Sequence, residues 1–420
     1  MSNEALRRTP QQRGRRISWR VAAVGTVLAL AFTACASDRG SDSASGDVEV
    51  VKLGAILPLT GATAQNGNNS LRGIELAVKQ INDAGGIKSL GGAKIELSTA
   101  DATSDPAKAA NAATQFLSKG EAPLAIVGAY ASGLTVTVAR VMERAKVPLL
   151  STSFSDELTQ QGYKYFFQLP AAASKMGTAQ MGYALEIAED ADKPLDKVAI
   201  VYANNAYGEA QGASLKKQAE ASGKEVVLFE GYAPTITDAG PIAAKILSAK
   251  ADGIFSIAYV SDGVLLMRAL QSQGSDVPVF GGTGGYITPD FLAALGDQTD
   301  GLFSVTTSNP DGYGEIGEAY LAEYGEFMPQ EAHDNAAAVF IFAQALEENP
   351  TTDPTELATY LHKGSFDLEA AGQMPGGVVK FDDTGVNVNA APLMVQWQDG
   401  GLVGVWPKEI VKGVPNWTTK

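Results

Sequence analysis

Residues 124–162 read LAIVGAYASGLTVTVARVMERAKVPLLSTSFSDELTQQG. Two apolar runs, 124–127 and 147–150, stop abruptly. The first ends at Gly128 and the small triplet Ala131-Ser132-Gly133, the second at the hydroxyl-rich stretch 151–155. Between them lies a helical pattern over 132–146. Strand, helix and strand in this order make a parallel βαβ unit. Both strands therefore end, side by side, in loops full of N–H and hydroxyl groups. That edge is where open parallel sheets bind ligands.

Working outward, the same alternation continues on both sides. Upstream, 48–57 is a buried first strand, broken by Pro58 and Gly61. A helix follows, capped by Asn69 or Ser70, with Leu71, Ile74, Val78 and Ile81 at helical spacing. It ends at Gly85-Gly86. Strand 94–99 comes next, then Asp105-Pro106 as N-cap and first helical residue. Downstream, after 165–169, strands at 198–202, 226–229, 254–258 and 277–280 alternate with helical stretches. This predicts a second parallel sheet of the same kind.

From residue 302 the order changes. Helical stretches 316–327, 335–347 and 354–362 precede an expected ribbon formed by 377–381 and 393–397. A tail too small for its own domain should return to complete the two sheets. The expected fold class is α/β, with two doubly wound parallel-sheet lobes joined by multiple crossovers and a cleft between them. Lobe 1 is expected over 48–170 plus about 305–378, and lobe 2 over 171–304 plus about 379–420.

Composition excludes several functions. The net charge is −15, and residues 1–34 hold six Arg and one Glu, so the remainder carries −20. Such a body is repelled by phosphate backbones, so no nucleic-acid partner is expected. The chain has one cysteine, Cys35, which rules out an intrachain disulfide. It has two histidines, His333 and His362, and no HExxH, CxxC or His/Cys cluster, so no zinc site or other cofactor is expected. The turn GTGG at 282–285 is neither GxGxxG nor a phosphate loop, and no histidine is placed to activate Ser132, so no enzyme activity is expected.

The N-terminus combines a basic segment, an apolar run over 21–32 and Phe32-Thr33-Ala34-Cys35. This resembles a bacterial lipoprotein signal, covering 1–34, with Cys35 as the lipidated first residue of the mature chain. The Ser/Gly/Asp/Ala-rich stretch 35–47 reads as a flexible tether. The expected location is the outer face of the bacterial cytoplasmic membrane, anchored by lipid at Cys35.

Six motifs then occur in order: LGAILPLTGATAQNG with LRGIELAVKQINDAGGI, STADATSDPAKA, VGAYASG, the turn 151–162, NNAYGE and VFGGTGGY. Together they resemble the leucine/isoleucine/valine-type periplasmic binding proteins, type I solute receptors of ABC importers. The resemblance covers about 48–406. It implies an expectation of a monomer that closes its lobes on a small ligand, an apolar amino acid or a related carboxylate or amide, and hands it to a membrane permease. A sensor of the same fold feeding a signalling partner is the alternative.

The resemblance also implies site residues. Tyr130, Ala131 and Ser132 match the loop that holds a ligand carboxylate, where helix N–H groups attract an anion. Ser132 can also cap its helix. Ser153 and Phe154 match the second loop, with Phe154 where a Thr is usual. Tyr207 and Tyr259 match the aromatic residues of the second lobe. Thr283 stands where an acid would meet the ligand ammonium, so either Asp262 replaces it or the ligand carries no ammonium. Asn66 stands where an aromatic residue is common. Gly85, Gly86, Asp101 and Asp105 are expected as turn and cap residues.

Overall fold

The computed structural model describes residues 48–118, 120, 122–367 and 374–417. The expected signal at 1–34, Cys35 and the tether at 35–47 lie outside the described residues.

The first sheet consists of β1 (Val50–Leu57), β2 (Lys94–Asp101), β3 (Ala125–Gly128), β4 (Leu149–Ser151) and β5 (Phe166–Gln168). They lie in the order β2-β1-β3-β4-β5, all parallel. The crossovers are α1 (Ala64–Asp83), α2 (Pro106–Ser118) and α3 (Ser132–Ala145). Asp105 caps α2, its carboxylate accepting from the Ala107 and Lys108 N–H groups at 2.9 and 3.0 Å. Helices on both faces explain why β3 is buried at every residue.

The second lobe runs through α4 (Ala173–Asp190), β6 (Lys197–Ala203), α5 (Ala206–Ala221), β7 (Glu225–Tyr232), α6 (Gly240–Ala249) and β8 (Gly253–Ile257). It continues with α7 (Val260–Ser272), β9 (Val279–Gly281), the short α8 (Thr283–Tyr286), α9 (Pro289–Leu295) and β10 (Phe303–Thr306). The parallel part, β7-β6-β8-β9-β10, repeats the strand order of the first sheet. In each lobe the order reverses next to the first strand, between β1 and β3 and between β6 and β8. Ligand crevices open at such switch points.

The remaining helices are α10 (Gly314–Tyr324), α11 (Gln330–Glu348) and α12 (Pro354–Leu361). The chain then adds β11 (Leu393–Gln398), antiparallel to β10, and β12 (Gly401–Trp406), antiparallel to β11, at the edge of the second sheet. Trp397 of β11 is fully buried and donates its indole N–H to the Tyr286 carbonyl at 2.7 Å. One apolar cluster runs through both lobes, from Leu53 and Val127 to Phe255 and Phe280.

Several expectations are corrected. Helix α1 starts at Ala64, so Asn69 and Ser70 are interior and cap nothing. Tertiary burial holds this polar first half in helix: Asn66, Asn69 and Ser70 are all buried. The partner of 393–398 is β12, not 377–381, which makes only isolated bridges at Val379 and Phe381. Asp399-Gly400, both at positive φ, turn the true hairpin. Strand β10 was not foreseen. The stretch expected to enter lobe 2 at about 379 also stays by the first sheet, since Val386 bridges Gln168 and the His362 ring meets the Asp382 and Lys164 carbonyls at 2.8 and 3.1 Å.

Candidate functional site

Each strand-end loop singled out in the sequence delivers its residues to one region between the lobes. From the first lobe come Tyr130, Ala131 and Ser132, after β3, and Ser153 and Phe154, after β4. From the second come Tyr207 at the start of α5, Tyr259 just before α7, and Thr283 opening α8. The rings meet across the gap. Tyr130 lies 6.3 Å from Tyr259 between centroids, Phe154 lies 5.7 Å from Tyr207, and Tyr207 lies 5.7 Å from Tyr259. All four are buried. They form an apolar wall whose hydroxyls still offer polar contacts. Burial raises the pKa of the Tyr130, Tyr207 and Tyr259 hydroxyls well above the usual phenol value, so all three stay neutral.

Ser132 does not cap α3. The N-cap is Ala131, whose side chain offers no hydrogen bond, and Ser132 is the first helical residue. Its hydroxyl is buried with no hydrogen-bond partner, and so is that of Ser153. Two orphaned hydroxyls at neighbouring strand ends are uncommon, because buried polar groups are nearly always paired. Beside them the first N–H groups of α3 point out of the helix without intrahelical acceptors, at the positive end of its dipole. The arrangement suits an anion.

Thr283 and Asp262 are otherwise engaged. The Thr283 hydroxyl donates to Gln330 Oε1 of α11. Gln330 in turn donates to Thr307 Oγ1 at 2.7 Å and to Asp334 Oδ2. Asp262 accepts from the Tyr259 N–H at 2.9 Å and from the Tyr232 hydroxyl at 2.8 Å. It closes the first turn of α7 inside the second lobe. Burial raises its pKa to about 6.

Asn66 bridges the lobes. Its amide donates to the Gly284 carbonyl and to Glu331 Oε1, both at 3.0 Å. Asn69 donates to the same Glu331 oxygen at 3.2 Å and to Asp290 Oδ2 at 3.4 Å. Gln65 donates to Asp290 Oδ1 at 3.3 Å. Helix α1 of the first lobe is thus bonded directly to α8 and α9 of the second, and the lobes are closed. The glycines of 282–285 permit close packing within the second lobe: a Cβ on Gly285 would sit 2.6 Å from the Tyr259 carbonyl. GTGG is a packing device here.

Sequence reasoning missed the first turn of α11. It placed the helix start at Asn335, whereas Gln330, Glu331, Asp334 and Asn335 are all buried residues of the helix. Asn335 also ties the β4 loop to this turn, donating to Thr152 Oγ1 at 3.1 Å. A polar cluster directly ahead of an apolar helix was the available signal. Of the histidines, His333 stacks on Tyr313 at 4.2 Å and His362 bonds carbonyls of the first lobe, so neither partners Ser132.

The family described as periplasmic binding protein matches residues 50–401. A Leu/Ile/Val-binding protein homolog 8 of Brucella suis biovar 1 is 31% identical over 406 residues, covering 92% of this chain and 95% of the relative. Among solved structures, the branched-chain amino acid transporter substrate-binding protein LivJ of Streptococcus pneumoniae, in complex with isoleucine, aligns with a TM-score of 0.74 at 23% identity, over 84% of this chain and 97% of that one. A solute-binding protein of R. palustris in complex with benzoate aligns with a TM-score of 0.73 at 21% identity, over 85% and 95%. At such identities the structural likeness is one of fold.

Proposed function

The chain belongs to the periplasmic binding protein family, and on that premise we propose that it is the extracytoplasmic solute-capturing component of an ABC importer. It holds a small apolar carboxylate, an amino acid or a close relative, between its lobes. The observation that carries this is the pair of buried, unpartnered hydroxyls of Ser132 and Ser153, on the same strand-end loops that carry Tyr130 and Phe154 to Tyr207 and Tyr259. The hydroxyls and the α3 N-terminus take the carboxylate, and the rings take the apolar part. Closure is a hinge motion driven by contacts available only when both lobes surround the ligand. Hinges near 170, 306 and 391 fit the points where the chain passes between sheets. Anchoring through a lipid on Cys35 and delivery to a membrane permease complete the proposal. Among the described residues no helix is long and apolar enough to cross a membrane.

A thermal-shift screen against amino acids, their amides and small apolar carboxylates tests this. A ligand at one hundred times its dissociation constant stabilises by about 2.7 kcal/mol. Silence across the whole panel would remove the capture role, and turnover of a hit would replace it with catalysis. Ser132→Ala is expected to weaken a carboxylate ligand by about 1.5–3 kcal/mol, the range for hydrogen bonds to charged groups. Titration calorimetry reads it, and unchanged affinity would remove Ser132 from the site.

A further inference from the structure

We propose that Glu331, on the first turn of α11, is the partner of an ammonium group on the ligand, so that the site selects a zwitterionic amino acid over the same carboxylate without its amine. This rests on the cleft being a carboxylate-binding site, as proposed above. It places the acid on the first lobe, where neither Thr283 nor Asp262 would have put it.

Glu331 is 2% exposed. Both of its amide donors, Asn66 and Asn69, converge on Oε1. Among the described residues, no Lys, Arg or His forms an ion pair with it. A buried carboxylate without a cation is costly, and two neutral amides do not replace the missing charge. Burial accordingly raises its pKa to about 7, and the nearby Asp290 adds to the rise. The group is also in the right place. Asn66 joins it to the Gly284 carbonyl, beside the loop of Thr283. Its charge is the second cause, after burial, of the raised Tyr130 pKa, so it lies close to the residue that precedes Ala131 and Ser132.

The other acids near this region each have donors within their own surroundings. Asp262 takes the Tyr259 N–H and the Tyr232 hydroxyl. Asp334 takes the Thr307 hydroxyl and the Gln330 amide on Oδ2, while its Oδ1 has no hydrogen-bond partner and lies 3.8 Å from His333 Nδ1. Asp290 takes Gln65 and Asn69. Glu331 is set apart by its place: Asn66, which donates to it, also donates to the Gly284 carbonyl of the second lobe. An ammonium group would supply the charge that the fold leaves out.

The test compares amino acids with their deaminated counterparts: L-leucine with 4-methylpentanoate, L-isoleucine with 3-methylpentanoate and L-phenylalanine with 3-phenylpropanoate. Affinities are measured by calorimetry on the full chain and on Glu331→Gln, which keeps an oxygen for Asn66 and Asn69. The parent is expected to bind at least one amino acid about a hundredfold more tightly than its deaminated partner. Glu331→Gln is expected to lose that preference, weakening the amino acid about a hundredfold while holding the deaminated acid within about threefold. Retained binding of the deaminated acid also shows that the variant is folded. A parent that binds the deaminated acids equally well overturns the role of Glu331 and leaves carboxylate capture standing. So does a preference that survives Glu331→Gln, or one lost in Asp262→Asn instead. A parent that binds no member of any pair overturns both.

Discussion

Gly128→Ala is expected to lose about 4 kcal/mol of stability, combining the cost of a strained backbone with that of overpacking. Gly128 closes β3 at φ +138°, a conformation that side-chain-bearing residues rarely adopt. A Cβ there would also lie 2.1 Å from the Ile56 carbonyl oxygen of β1, a backbone atom that cannot swing aside. Relief would require β1 and β3 to part at the switch point, carrying Tyr130 and Ser132 with them. Ligand affinity should therefore fall together with stability. The matched control is Gly133→Ala in α3, where the nearest atom to a new Cβ is Pro106 Cγ at 4.0 Å. That change should be neutral or stabilising by up to about 1 kcal/mol, as Ala replaces Gly in a helix. Urea denaturation reads both. A Gly128→Ala midpoint close to that of the parent would mean that the strand end has room the structure does not show.

The second large effect is on pH dependence. Glu331 titrates near 4.5 when unfolded and near 7 in the fold, because burial disfavours its charge. A carboxyl whose pKa is raised by folding holds its proton more tightly in the folded state. Stability from this group is therefore full below about pH 4.5 and is lost as pH rises towards 7, by roughly 3 kcal/mol in all. Asp262 acts in the same direction over a lower window, from 3.8 to about 6. The ligand-free protein should accordingly weaken between pH 4 and 8, apart from its exposed acids. Glu331→Gln should remove the upper part of that fall. It should match the parent within about 0.5 kcal/mol at pH 4 and exceed it by about 2–3 kcal/mol at pH 8. Chemical denaturation at pH 4, 6 and 8, with ligand rigorously removed, measures this. Superimposable profiles for parent and variant would show that the folded protein ionises Glu331 without penalty.

Legibility in the sequence followed the range of the forces involved. The parallel strands of both sheets, other than β10, were readable because their apolar runs and turn residues are local. The strand-end loops were readable for the same reason, whereas Tyr130, Ser132, Tyr207 and Tyr259 were singled out through the family resemblance. The start of α1 was not, because its residues 64–70 look like a polar loop until Glu331, Gly284 and Asp290 are beside them. The first turn of α11 failed in the same way. Apart from the Gln330–Asp334 bond, Gln330 and Glu331 gain their roles from partners 23 to 265 positions away, and the polar cluster ahead of the apolar helix was the one local mark. The hairpin of β11 and β12 is a different case. Its Asp399-Gly400 turn, flanked by LMVQWQ and GLVGVW, is a local signal that could have been used.

The interleaving of the chain bears on how the protein reaches this state. Helix α1 packs on α11, and β10 waits for β11, so each lobe lacks an essential piece until the last quarter of the sequence is available. A nascent chain ending before residue 330 would leave the apolar side of α1 uncovered. One ending before 393 would leave β10 as an unpaired edge, open to pairing between molecules. Closing such long loops slows folding far more than it lowers final stability. The two lobes should therefore gain their structure in a single slow, concerted step, and a chain released early should be a target for proteolysis or aggregation instead of a half-built receptor.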